Sequence, residues 1–165
     1  MATGVRLRAM TESDLGAVNA IYNHYVLHST CTYQLEPETE AARAAWFRGH
    51  GPAHPLLVAE HDGRVVGWGS LSHFHPRGGY AHSVEDSLYV DHDFHRRGVG
   101  GALLAEIVAR ARVLGHHLII AGIDAEQAGS VVLHARFGFV EAGRLREAGY
   151  KFGRWLDVVY MQLAL

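Results

Sequence analysis

The sequence predicts an α/β (α+β) domain in which one mixed central β-sheet is flanked by helices. Three observations carry that expectation. Apolar periodicity switches between 2 and about 3.6 residues along the chain, in the order strand, two helices, three strands, helix, strand, helix, strand, strand. An alternating strand over 84–90 runs through a glycine turn into a helix, and an apolar strand follows, which calls for a parallel strand reached by a right-handed crossover. A length of 165 residues suits one domain over 1–165 and leaves no room for a second.

Val5, Leu7 and Ala9 alternate with Arg6 and Arg8 as an opening strand. Thr11 to Asp14 offers capping residues for a helix whose apolar stripe is Leu15, Val18, Ile21, Tyr22 and Tyr25. His24 and His28 lie one turn apart near its end; with no third ligand and no HExxH pattern they read as ordinary helix histidines. A polar, aromatic loop from Ser29 is stopped by Pro37 before a second helix through 41–47. Tyr33 in that loop reads as a packing aromatic, with a substrate contact as the alternative.

Strands over 56–60 and 65–71 flank His61-Asp62-Gly63-Arg64, an Asp-Gly hairpin turn. A loop over 73–80 leads into the strand over 84–90, which places Arg77 and Tyr80 near Glu85 along the chain. In that strand Val84, Leu88 and Val90 face one way and Glu85, Ser87 and Tyr89 the other, so it is half-buried with one ionisable face. The helix after the glycine turn covers 102–109, and 117–123 is an apolar run of buried-strand type. Beyond a loop over 124–129, Ser130 is expected to cap a short helix over 131–137 that Gly138 ends. Strands over 140–145 and 155–163 close the chain around Gly149-Tyr150-Lys151-Phe152-Gly153.

A formal charge of −2 and a pI near 6.7 argue against a nucleic-acid protein, which needs a basic surface to meet phosphates. The single cysteine, Cys31, permits no intramolecular disulfide and no cysteine metal cage, and a reducing cytoplasm fits it. The opening residues hold no apolar core of signal-peptide length, and no run approaches the roughly 20 apolar residues of a membrane span. No membrane partner is expected.

The chemistry-bearing stretch is Arg96-Arg97-Gly98-Val99-Gly100-Gly101. The first turn of a helix has amides without intrahelical partners, and glycines let a phosphate approach them. Alone, such a turn also reads as a tightly packed helix start. The GxGxxG and GxxxxGK[ST] patterns are absent, and the order of basic pair, Gly, any residue, Gly is that of the coenzyme A pyrophosphate loop in the GNAT acetyltransferase superfamily.

Within that superfamily the chain resembles the phosphinothricin acetyltransferase group, which includes methionine sulfone and sulfoximine acetyltransferases. The resemblance covers nearly the whole length. It rests on Ile21-Tyr22-Asn23-His24-Tyr25-Val26, on Ser29-Thr30 with Tyr33 and Pro37, on Val84-Glu85 with Tyr89-Val90, and on the 96–101 turn. It continues in Ala121-Gly122-Ile123-Asp124, in Ser130 with Leu133-His134 and Gly138-Phe139, and in the closing Gly149-Tyr150-Lys151-Phe152-Gly153-Arg154-Trp155-Leu156-Asp157.

The resemblance implies the GNAT acyltransferase fold and an acetyl-CoA-dependent N-acetyltransferase. In it the backbone of Leu88, Tyr89 and Val90 would pair with the pantetheine arm, and an amide near Tyr89 or Val90 would face the oxyanion. His95, Arg96, Arg97, Gly98, Val99, Gly100, Gly101 and Ala102 would hold the pyrophosphate, with Gln127 and Ser130 on the other side of the acetyl-CoA. Glu85, by pattern alone a solvent-facing strand glutamate, becomes the base; His134, by pattern alone a histidine packed on a short helix, becomes the acid. Arg77 reads equally as a surface arginine and as the group that holds an acceptor's carboxylate, phosphinate or sulfone oxygen, with Tyr33 and Tyr80 walling the pocket.

The implied acceptor is the α-amino group of a small amino acid or analogue of the phosphinothricin, methionine sulfoximine or methionine sulfone type. The alternatives are another amine, such as a polyamine or peptide N-terminus, or a noncatalytic acyl-CoA-binding protein. Related enzymes suggest a homodimer whose partner helps wall the site. No metal is expected, the pairs His73-x-His75 and His92-x-x-His95 being poor candidates. The chain departs from the family pattern at His95, usually Gln or Arg, and at Gln127, usually Asn.

Overall fold

A computed structural model describes residues 4–165; the first three residues of the opening segment lie outside it. Seven strands form one sheet: β1 (Arg6–Ala9), β2 (Leu56–His61), β3 (Arg64–His73), β4 (Ser83–Val90), β5 (Leu118–Asp124), β6 (Val140–Lys151) and β7 (Arg154–Ala164). Four helices flank them: α1 (Leu15–His28), α2 (Glu40–Arg48), α3 (Val99–Val113) and α4 (Ala128–Arg136). The order across the sheet is β1-β2-β3-β4-β5-β7-β6. Only β4 and β5 are parallel, and α3 makes the long connection that a parallel pair requires.

Strand alternation divides the core. On one face Leu57, Leu71, Val84, Ile119 and Ala121 pack against α3, whose buried stripe of Val99, Leu103, Leu104, Ile107, Val108 and Ala111 follows the helical period. Complete burial of each such leucine or isoleucine stabilises the fold by about 1.5–3 kcal/mol. On the other face Val58 and Trp68 meet Val18, Ile21 and Tyr25 of α1. Arg43 of α2 is buried there with no ion-pair partner among the described residues: its Nε donates to Asn19 Oδ1 (3.1 Å) and its guanidinium lies over the rings of Tyr22 and Trp46, 4.7 Å from each.

The entry to α1 is held by Asp14, which accepts from the Thr11 amide and from Arg8 (2.7 and 2.8 Å). Those Arg8 hydrogen bonds push the Asp14 pKa down to about 2.

The sequence-based expectations hold for the order and type of every element. Three details differ. The third helix begins at Val99 rather than Ala102, because its first turn is built from the glycine segment itself. The helix expected from Val131 starts at Ala128 with Gln127 at its N-cap, so Ser130 lies inside α4 and does not cap it. β6 continues past Leu145 to Lys151: irregularities at Glu141/Gly143 and Leu145/Gly149 break the ladder, but pairing resumes from Gly149 to the two-residue turn Phe152-Gly153.

Candidate active site

The parallel pair β4–β5 is short. Ser83, Val84 and Glu85 pair with Leu118, Ile119 and Ile120, after which the strands part although both run on. On its other edge β4 stays paired to β3 as far as Val90. The Asp91 amide donates to Val66 O (2.9 Å), so by antiparallel alternation the Tyr89 and Ser87 amides also point to β3, while those of Leu88 and Val90 point into the gap. The Val90 carbonyl accepts from Tyr25 Oη. That hydroxyl has one proton, so in its 2.5 Å contact with His95 the ring Nε2–H is the donor.

The gap is the waist of a cleft of about 890 Å³. Its outer end is formed by the 96–101 turn and the start of α3. Arg96 and Gly98 both have positive φ, 59° and 81°, a conformation open to glycine and costly for arginine. The first helical bond of α3 runs from the Ala102 amide to Gly98 O (3.0 Å), which leaves the amides of Val99, Gly100 and Gly101 without intrahelical acceptors. An extended thioester arm with an anionic end fits this combination of a free strand edge and a free helix start.

Glu85 and Asp86 are adjacent on β4 and therefore point to opposite faces of the sheet. Glu85 lies on the α1 face, with Oε1 3.6 Å from where a Cβ on Gly122 would stand. Burial and then the charge of Asp86 push its pKa up. Asp86 lies on the α3–α4 face, where its Oδ2 meets His134 Nε2 at 3.0 Å with both side chains almost wholly buried, 1% and 5% exposed. His134 Nδ1 donates to Ser130 O (2.8 Å), and its ring stands edge-on to Phe139. Burial pulls the His134 pKa down, but the Asp86 bond and charge and the Ser130 carbonyl outweigh it, so the net shift is upward.

The structure brings most of the expected residues together. Glu85, Leu88, Tyr89, Val90, His95, Arg96, Gly98, Val99, Gly100, Gly101, Gln127, Ser130 and His134 line the cleft. Arg97 and Ala102 do not: the Arg97 guanidinium lies over Phe94 (4.7 Å), and Ala102 is already within the helical ladder. Arg77 and Tyr80 are exposed in the loop between β3 and β4 and stay outside the lining. Tyr33 also stays outside and braces the cleft from behind, its hydroxyl donating to Asp124 Oδ2 (2.6 Å). Gln127 reaches across to Thr30 Oγ1 (3.1 Å) and ties the start of α4 to the loop after α1. The closing hairpin holds the same loop through Lys151, whose buried ammonium donates to the carbonyls of Ser29 (2.7 Å) and Thr32 (2.8 Å).

Sequence reasoning missed Asp86. The signal that could have found it is its place on the buried side of an otherwise alternating strand, between Val84 and Leu88. The histidine pairs also resolve: His73 packs on His54 while His75 packs on Tyr80, and His24 stacks on His92, 4.0 Å between ring centres.

Residues 7–160 match the acetyltransferase (GNAT) domain family, and the chain belongs to it. It is an N-acetyltransferase of the acetyl-CoA-dependent class. Among curated relatives it is 38% identical to a phosphinothricin N-acetyltransferase of Alcaligenes faecalis, over 96% of this chain and 82% of that one. It is 35% identical to an L-methionine sulfoximine/L-methionine sulfone acetyltransferase of Salmonella typhimurium, over 96% and 94%. Among solved structures, a GNAT superfamily phosphinothricin acetyltransferase from Sinorhizobium meliloti in complex with acetyl-CoA superposes with a TM-score of 0.96 at 36% identity, over 99% of this chain and 89% of that one.

Proposed function

We propose that this enzyme acetylates the α-amino group of a small amino acid or analogue, of the phosphinothricin, methionine sulfoximine and methionine sulfone class that its relatives are named for. One observation carries the mechanism: the parted strands leave a single opening with a carboxylate, Glu85, on one face and a buried acid–imidazole pair on the other. Acetyl-CoA supplies the acetyl group as its thioester. Glu85 takes the proton of the incoming ammonium, and the gap-facing Val90 amide is placed to donate to the carbonyl oxygen as negative charge develops there. His134 lies on the opposite face, where the sulfur departs, and supplies the thiol's proton. The amides of Val99, Gly100 and Gly101, with Arg96 beside them, hold the pyrophosphate, and Gln127 and Ser130 flank it from α4.

Thiol release from acetyl-CoA, followed with phosphinothricin, methionine sulfone, methionine sulfoximine, ordinary amino acids and polyamines, tests the reading. Release with at least one of the first three, in preference to polyamines, is expected. Silence with all three would remove the proposed acceptor class.

The proposal includes a homodimer. β6 is an edge strand, and its hairpin with β7 exposes Val140 and Leu145 on one face and Tyr150 and Trp155 on the other, apolar side chains that a second copy along this edge would cover. In a dimer the exposed Arg77 and Tyr80 loop is free to wall the partner's acceptor site. Equilibrium sedimentation should return twice the 18.1 kDa chain mass, and Trp155→Glu should shift it toward monomer; a monomeric wild type at micromolar concentration would remove this part of the proposal. A cytoplasmic location is also proposed, supported by the single partly buried cysteine. Among the described residues no helix is long and apolar enough to cross a membrane.

A further inference from the structure

We propose that Asp86 is a positioning residue that keeps a transferable proton on His134, so that the acid of the cleft is the Asp86–His134 pair and not an isolated imidazole. The inference rests on the acetyl-transfer reading of the cleft. Ser130 O can only accept, so His134 Nδ1 carries a hydrogen that is spent within its own helix. Nε2 then meets a carboxylate oxygen at 3.0 Å, a contact that requires one further proton between the two groups.

The surroundings favour holding that proton. The other carboxylate oxygen, Asp86 Oδ1, is buried with no hydrogen-bond partner among the described residues, so an ionised Asp86 has the imidazolium as its compensating charge. The groups facing the imidazole are Asp86 from β4, the Ser130 carbonyl and, at 3.4 Å, its hydroxyl from the same helix, and the ring of Phe139. Among these Asp86 is the one that carries charge. Arg136, on the same helix, lines the cleft but makes no bond to the ring.

The proton balance of the transfer then closes. Glu85 takes the ammonium proton, the freed amine pair forms the bond to the acetyl carbon, the carbon–sulfur pair leaves on sulfur, and the second proton that the nitrogen sheds as it becomes an amide passes to water. Sulfur takes the proton shared by Nε2 and Oδ2, the N–H pair stays on the ring, and the net negative pair is reprotonated from water. An isolated buried imidazole would be neutral at pH 7 and would have its only hydrogen committed to Ser130 O.

Asp86→Asn is the test. Asparagine keeps the shape and can donate its amide hydrogen to Nε2, so the neutral tautomer with hydrogen on Nδ1 is held in place while the proton is lost. We expect kcat to fall about 10- to 100-fold with the KM for acetyl-CoA little changed. Both limbs of the kcat/KM profile should move to lower pH: the alkaline limb because His134 loses its partner, the acid limb because Glu85 loses a neighbouring negative charge.

Nitrogen-15 NMR of the imidazoles in the ligand-free wild type, assigned with His134→Gln, should show His134 titrating above the ordinary value of about 6.5, and in Asp86→Asn below it. A wild-type His134 that titrates below that value would overturn the proposal even if the variant does not fold, as would an alkaline limb that Asp86→Asn leaves unmoved. Inactivity with every amine would instead retire the acetyl-transfer reading and leave the titration result standing.

Discussion

Replacing Glu85 with glutamine slows acetyl transfer about 10²- to 10⁴-fold at neutral pH, the usual cost of losing a positioned base, and leaves acetyl-CoA affinity unchanged. The amide has the carboxylate's shape, and the 96–101 turn proposed to hold the pyrophosphate forms the outer end of the cleft. Burial and the charge of Asp86 lift the Glu85 pKa above its ordinary value, so wild-type turnover falls as pH drops through that raised value and the variant lacks this limb. The stability effect has the opposite sign. A carboxyl whose folded pKa is raised destabilises the fold as pH climbs past its unfolded value of about 4.3. Glu85→Gln should therefore melt no lower than the wild type at pH 7, and a loss of activity with equal or higher Tm is the signature of a base. Unchanged turnover would remove Glu85 from that role.

The second large effect lies outside the cleft. A Cβ added at Gly149 would stand 2.3 Å from Tyr33 Cε2 and 2.5 Å from Cδ2. The ring cannot simply swing away, because its hydroxyl donates to Asp124 Oδ2 (2.6 Å), with the Asp157 carbonyl 3.2 Å off. Gly149→Ala should cost about 3 kcal/mol in denaturant unfolding, at the upper end of the usual overpacking range. It should also lower activity, because displacing Tyr33 removes the bond to Oδ2 of Asp124, which lines the cleft and keeps only its Oδ1 contacts with Thr30 and the Glu126 amide. Combining it with Tyr33→Leu should recover part of the stability, as expected for residues in contact. A fully stable Gly149→Ala protein would show that the hairpin shifts freely over this loop.

Much of this molecule is legible along the chain. The periodicities of β4, α3 and β5, the Asp62-Gly63 turn and the 96–101 segment are local signals that the tertiary structure keeps. The cofactor-side residues were readable because they follow one another. What was not readable comes from distant pairing. Ser130 looks like a cap until the backbone bond from its amide to Gln127 O places the helix start three residues earlier. Asp86 looks like one more polar residue until α4 carries His134 over it, 48 positions on. Arg77 and Tyr80 are close to Glu85 in number, but both are exposed and neither lines the cleft. Lys151 gives no sign in its segment that it will hold the backbone of Ser29 and Thr32.

The placement of Glu85 and Asp86 on opposite faces of β4 has an evolutionary reach. In the proposed reaction, donor chemistry, in the form of the acid pair and the anion turn, belongs to the layer that α3 and α4 cover, while the acceptor would meet the α1 layer that holds Glu85. Mutations on the acceptor layer that spare Glu85 and Tyr25 would then trade one amine for another without touching the Asp86–His134 pair or the 96–101 turn. A single strand thus lets substrate range drift on one face while the thiol-side chemistry is inherited on the other.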